Sequence, residues 1–452
     1  MFTIHIDILD YALAIFYLIV ILIIAIYYQT IKVDNHKEYV YFTPGLFVKI
    51  LGGLVFTFIY MFYYKGGDTI SYFYSAKVLT NLFLKSPHAY FSILLGHLTP
   101  ENWSYFDSDT GYPVYYRNKW AFTVVRFTSI LVFFGAKSFL STVILISSIS
   151  YISMWKLFRF LYKEFPLLKT EFAIAILFFP SVVFWGSGIL KDTYTLAVSA
   201  FTFLSFYAII IYKRKILLNL FLLSIFGYFI LTIKPYVFFI QFATFLIVFI
   251  YVHLKRIKSV FLKFVVFPFI SISILFVSVI LFSSFGKMSG GFYISFNDIL
   301  ENAFIKQKDL TQPYYGENSF NIGYFEPTVQ GVLSKFLPAV NAGFFRPYLW
   351  EASNIVMLLS GLETLIILLF SIWIVIHLIK ILFFRGVRWI IHFFFSHPFI
   401  VYALFFSISF SFVIGLTSAN FGALVRYKIP FLQYFMSLLF ILNYYIKKAN
   451  IV

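Results

Sequence analysis

Asp68 stands in the stretch GGDTISY, directly behind a long apolar run, in a chain where carboxylates are scarce. An ionisable group beside a membrane-length apolar segment is costly to place and so points first to function. Other clusters share this setting: Lys191 and Asp192 in FWGSGILKDTY, Lys234 in TIKPY, Arg346 and Glu351 in FFRPYLWEASN, and Arg426 with Lys428 in NFGALVRYKIP. Each lies at the end of an apolar run, so all of them can meet at one level of a bilayer. Every cluster but the first contains a cation. Cations converging beside a carboxylate suit a phosphorylated or pyrophosphorylated ligand, which arginine grips through two parallel N–H···O bonds. Each cluster also has a structural reading. Lys and Arg at helix ends snorkel to the interface. Lys191–Asp192 can close a helix hairpin, and Arg346–Glu351 can be a local ion pair. Asp68 can cap a helix beginning DTISYFYSAKVL, and the glycines before it permit close backbone approach or an unusual turn.

The elements that must position these residues are membrane helices. Hydrophobic residues make up 61% of the 452 positions, charged residues 12%, and mean hydropathy is +0.90. A soluble chain cannot hide that much apolar surface. The absence of cysteine excludes disulfides, thiolate catalysis and cysteine metal sites. The net charge of +17 does not imply nucleic acid, because most basic residues fall in short loops between apolar runs. The pattern reads as an all-α polytopic membrane protein of about eleven spans, each needing roughly 20 apolar residues. They lie near 8–27, 44–64, 138–157, 171–187, 192–212, 216–233, 236–254, 260–282, 355–378, 396–416 and 429–446. The run Ile8–Tyr27 lacks a small-x-small cleavage site and is expected to stay as an anchor.

Basic loops at 156–169, 212–215, 253–258, 380–388 and 447–448 fall on one side of this arrangement, which should be cytoplasmic. The N-terminus is then outside and the C-terminus inside, in a bacterial inner membrane. Most of the 18 acidic residues fall on the outer side, as do the long polar segments 65–137 and 283–353. Long outer loops suggest chemistry or recognition at the outer face. The segment 119–137 carries Arg126 mid-run, and spanning would invert the charge pattern downstream, so it is expected to lie in or re-enter the interface. Ionisable or amide groups at mid-membrane depth are few: Lys49, Gln241 and Glu363. His88, His97, Asp107 and Asp109 share the first outer loop but match no metal-ligand spacing. KMSGG at 287–291 lacks the ending of a phosphate-binding loop, and no Gly-x-Ser-x-Gly elbow occurs. The abundant Tyr and Phe read mainly as lipid contact and helix packing.

The arrangement resembles the GT-C superfamily of membrane glycosyltransferases. In that family an acidic residue follows an early span at the start of the first long outer loop. A tyrosine and a small residue often come after it, as Asp68, Tyr72 and Ala76 do here. FTVVRFTSILVFFG resembles the Arg-containing segment that leads into the next span, and FFPSVVFWGSGILKD the Pro-containing span end. NFGALVRYKIPFL resembles a segment of bacterial polysaccharide-assembly proteins of the O-antigen polymerase kind. The likeness departs from the family where many members have two adjacent acids and this chain has Asp68-Thr69. The chain also has an extra span before the loop.

The resemblance implies a GT-C-like fold and a polyprenyl-phosphate-linked sugar as donor. It implies a glycan or lipid acceptor and no cofactor. Asp68 would be the general base, and Lys191, Lys234, Arg346, Arg426 and Lys428 would hold the donor phosphate. Rival readings are a polysaccharide polymerase that depends on Arg346 and Arg426, and a transporter or flippase of an anionic lipid-linked glycan.

Overall fold

The computed structural model describes residues 6–256, 301, 304–305, 307–310, 312 and 318–449. Among the described residues the fold is all-helical, without a β-strand. Nine helices are long and apolar enough to cross a membrane among these residues. Nine of the expected spans correspond to them. The span expected at 260–282 lies outside the described residues, as does most of the second outer segment before residue 318. The remaining one, 171–187, is not a continuous helix, for a reason given below. The chain forms two compact units, divided inside the helix that begins at Pro235.

The first unit opens with α1 (Ile8–Val33) and α2 (Phe42–Phe58), which a π-helical turn extends over Ile59–Tyr63. α1 leaves most of its apolar side chains exposed, as a lipid-facing span should. The polar segment 65–137 folds into α3 (Asp68–Lys85), α4 (Pro87–Leu94), α5 (Pro100–Trp103) and α6 (Lys119–Phe134). α7 (Phe139–Glu164) follows; Asp10 of α1 accepts the backbone N–H of Phe139 at 3.2 Å and satisfies one donor of its first turn. Phe73, Leu79 and Leu82 of α3 interlock with Phe122, Val125 and Val132 of α6, together with Ile93 and Val143.

Thus α6, expected at the interface, is largely covered by protein, and Arg126 is buried. Its guanidinium donates to the Leu94 carbonyl and the Thr123 hydroxyl, both at 3.1 Å. Capping the C-terminal end of α4 explains how a charge sits within an apolar helix: it satisfies orphan carbonyl groups.

The segment after α7 breaks up into α8 (Lys169–Phe172), a π-helical turn over Ala173–Leu177 and α9 (Pro180–Trp185). Pro180 lacks the N–H that would continue the helix. α10 (Lys191–Ile210) and α11 (Ile216–Ile233) then form an antiparallel hairpin.

The second unit contains most of α12 (Pro235–Arg256), then α13 (Val329–Ser334), α14 (Phe336–Phe345), α15 (Ile355–Arg385) and α16 (Val387–Phe394). It closes with α17 (Pro398–Thr417), α18 (Phe421–Tyr427) and α19 (Ile429–Lys448). The tightest packing is α14 on α17. A Cβ added to Gly343 or Gly415 would run into the backbone of the other helix, so the two glycines permit main-chain approach of the kind small residues provide between membrane helices. That crossing fixes the end of α14, from which Arg346 projects.

Candidate functional site

In the first unit, the chain reaches Asp68 through Gly67, whose φ is +117° and where a Cβ would lie 2.7 Å from the Tyr60 ring. Glycine is the residue that tolerates such a backbone. Gly67 occupies the cap position and Asp68 is the first residue of α3. The capping role considered for Asp68 is therefore displaced by one residue: the turn needs glycine at the cap, and the carboxylate falls just inside the helix. There it still benefits from the positive end of the helix dipole. Asp68 is half-buried, and its Oδ1 accepts the Tyr115 hydroxyl at 3.1 Å. The Tyr115 ring packs at 4.9 Å on that of Tyr72, one turn beyond Asp68 and buried. Tyr115 comes from the loop before α6. No spacing in the sequence ties it to Asp68, because the partners are brought together only by α3 packing on α6.

Asp192 and Lys234 form a second pair in this unit. Asp192 sits in the first turn of α10 and Lys234 caps the C-terminus of α11, at the same end of the hairpin. Lys234 Nζ lies 2.5 Å from Asp192 Oδ1, with side-chain exposures of 6% and 0%. Each charge complements the dipole of its own helix end. This is a buried ion pair. Lys191, beside it, is half-buried.

The turn that leads into α10 is held from beneath: Lys49 of α2, fully buried, donates to the Gly186 carbonyl, and Ser147 of α7 to the Ser187 carbonyl at 2.7 Å. Lys49 thus meets the C-terminal end of the last piece of the broken 171–187 segment, an arrangement the apolar run did not reveal.

His88, His97, Asp107 and Asp109 do not assemble into a cluster of metal ligands; among the described residues no group of three His, Asp or Glu does. Asp107 is used locally. Its carboxylate pairs with Lys85 and accepts the Thr110 backbone N–H at 3.0 Å. Lys85 and then Thr110 hold the carboxyl down at about 2.

The second unit gathers the remaining candidates. Arg346 follows α14 directly, and its guanidinium carbon lies 4.9 Å from the Phe320 ring centroid and 5.6 Å from that of Tyr348. Its Nε is 3.5 Å from Glu351 Oε1, the ion pair read as one structural alternative. Glu351 also accepts the Tyr348 backbone N–H at 2.8 Å, which fixes the short turn Leu349–Glu351. The terminal nitrogens of Arg346 make no hydrogen bond to any described residue, and the side chain keeps 22% of its surface exposed. Two rings and a carboxylate therefore brace the guanidinium, whose planar fork matches the geometry of an oxyanion.

Behind it, fully buried Lys428 donates to the Arg346 carbonyl at 2.8 Å, and Thr364 to the Pro347 carbonyl at 2.6 Å. Burial pushes the Lys428 ammonium down to about 8, against the opposing pull of Glu363. Arg426 lies in the last turn of α18, two residues before Lys428, and is half-buried. Of the mid-membrane candidates, Gln241 donates to the Tyr402 hydroxyl at 3.1 Å.

Asp68 with Tyr72 and Tyr115, and Asp192 with Lys234, belong to the first unit; Arg346, Glu351 and Lys428 to the second. No family model, curated protein or solved structure matches this chain.

Proposed function

We propose that this protein is a membrane glycosyltransferase that uses a polyprenyl-phosphate-linked sugar at the outer face of a bacterial inner membrane to build a surface glycan. The observation that carries the reading is Arg346: a guanidinium braced by Phe320, Tyr348 and Glu351, with terminal donors that no described residue takes up. Such a group fits the phosphate of a lipid-linked donor, whose prenyl chain the surrounding apolar helices would accept. Lys428 positions Arg346 through its carbonyl.

Asp68 supplies the base. Its carboxylate takes the proton of the acceptor hydroxyl as that oxygen bonds to the anomeric carbon. The bond from that carbon to the phosphate oxygen breaks, and the leaving phosphate keeps the electron pair. The stereochemistry inverts with a single in-line displacement. Tyr115 orients the carboxylate from the side.

The braced Arg346 equally favours a polymerase that joins lipid-linked repeats through arginines. The broken segment between α8 and α9, with Lys49 against its end, favours a transporter, since discontinuous helices recur at transport sites. Glycan profiling of a deletion strain complemented with Asp68→Asn and Arg346→Ala separates the three. Loss of product in both variants supports the transferase. Loss in Arg346→Ala alone supports the polymerase. Full product in both, with loss in Lys49→Met, supports transport.

A further inference from the structure

At the end of the second unit opposite Arg346, several exposed cations come together. α15 is 31 residues long, about 46 Å at 1.5 Å per residue, whereas a hydrocarbon core is roughly 30 Å thick. Its last turns, with Lys380 and Arg385, therefore extend past the apolar layer. The chain turns at Gly386 into α16, whose residues segregate by side. Trp389 and Phe393 face inward, the latter 5.0 Å from the Tyr445 ring of α19. Arg388 and His392 are exposed along one stripe, and Val387 and Ile391 along the next. Arg385 donates to the Ala449 carbonyl at 2.8 Å, which brings the C-terminal end of α19, with exposed Lys447 and Lys448, to the same place.

Exposed aromatic residues flank these cations: Phe383 and Phe384 are 82% and 79% exposed. No Asp or Glu follows Glu363 in the sequence, so these elements themselves carry cations alone. An amphipathic helix with cations beside outward apolar side chains is the form that lies in a headgroup layer.

We infer that α16 and the adjoining ends of α15 and α19 bind anionic phospholipid headgroups, with Arg385, Arg388 and Lys447 meeting phosphate and Phe383, Phe384 and Ile391 entering the acyl region. The surplus of positive charge selects an anionic lipid over a zwitterionic one, and the exposed rings select a membrane lipid over a soluble phosphate. This inference does not depend on the transferase reading.

The test uses the full chain in detergent, offered equal amounts of phosphatidylglycerol and phosphatidylcholine, with retained lipid read by native mass spectrometry. Phosphatidylglycerol should be retained preferentially. A cation near an anionic surface contributes about fivefold in binding, so the double variant Arg385→Gln/Arg388→Gln should lose the preference by a factor on the order of ten. Removing as much charge elsewhere, in Lys213→Gln/Lys215→Gln, should leave it intact. No preference in the native chain, an equal loss in both variants, or displacement of the lipid by millimolar glycerol phosphate overturns the assignment.

Should the double variant fail to fold, Ile391→Cys carries the test with all cations present, since the chain has no other cysteine. A fluorophore at position 391 should be quenched by spin-labelled acyl chains more strongly in vesicles containing phosphatidylglycerol than in pure phosphatidylcholine. The difference should vanish at 1 M salt, where screening acts within about 3 Å. Quenching independent of lipid charge, or a dye reached only by aqueous iodide, contradicts the proposal.

Discussion

Lys234 in the first unit and Lys428 in the second both lie beneath the surface at the end of an apolar helix, yet they are satisfied in different ways. Lys234 meets the carboxylate of Asp192 at 2.5 Å, and both side chains are shielded from solvent. Lys428 meets a backbone carbonyl, that of Arg346, at 2.8 Å. The first arrangement cancels its own charge and reads as scaffold. The second spends its cation on positioning another cation, whose side chain keeps 22% of its surface exposed. The same residue type at the same kind of position is thus held by a carboxylate in one unit and by a backbone carbonyl in the other. Pairing, rather than membrane depth, separates a structural charge from one available to a ligand.

The largest expected effect comes from breaking the buried pair. Lys234→Met or Asp192→Leu alone leaves a buried charge uncompensated and should cost about 3–5 kcal/mol of stability. The double substitution should recover most of that loss, because apolar residues of similar volume replace buried ion pairs at little cost. Thermal unfolding of the three variants in detergent decides this; a double variant as unstable as the singles would mean that the pair does more than neutralise itself.

In the second unit, Arg346→Ala should weaken binding of a polyprenyl-phosphate sugar in nanodiscs by about 10- to 100-fold, the range expected for hydrogen bonds to a charged group. The melting temperature should hardly move. Arg346→Lys should recover only part of the affinity, having lost the planar fork. An unchanged affinity in the alanine variant would return Arg346 to the status of Lys234.

Lys428 sharpens the contrast through pH. Burial lowers its pKa to about 8 in the folded protein, from 10.5 for the ordinary group. Between those values the unfolded chain holds a proton that the folded chain has released, so stability should rise with pH across that window. Below about pH 8 the penalty of a buried ammonium is fully present. The contribution of Lys428 to this rise should be on the order of 2 kcal/mol, so the rise should be smaller by that amount in Lys428→Met, as measured by chemical unfolding at pH 7.5, 8.5 and 9.5.

The smallest effect belongs to the turn before Asp68. Gly67→Ala places a side chain at φ +117° against the Tyr60 ring, and a left-handed backbone costs a non-glycine residue about 1–2 kcal/mol. The melting temperature of this variant measures it, and a value equal to that of the native chain would mean that the turn relaxes freely.

The spans were legible because their signal is length and hydropathy, which a membrane imposes directly. The segment 171–187 was expected as one continuous helix and is instead divided: its apolar run is long enough, and only Pro180 hinted that backbone continuity fails there. Arg346 and Glu351 could be paired from sequence because they lie within one turn of chain. Asp192 and Lys234 could not, being 42 positions apart and joined only by the hairpin of α10 and α11. Tyr115 reaches Asp68 across 47 positions, and no periodicity marks it. The capping assignment for Asp68 was one residue off because Asp and Gly both suit a helix start, and only the backbone angle of Gly67 shows which of them turns the chain.

The proposed transfer chemistry rests on Asp68, and substitution by Asn tests it most directly. The amide keeps the size and the hydrogen bond from Tyr115, but it cannot take the proton of an acceptor hydroxyl. Purified Asp68→Asn should melt with the native protein and bind the donor normally. Its transfer of sugar from a polyprenyl-phosphate donor to acceptor should fall by a factor on the order of 100 to 10,000. A variant that folds, binds donor and transfers at the native rate would contradict the account and leave Asp68 as a helix-terminal charge only.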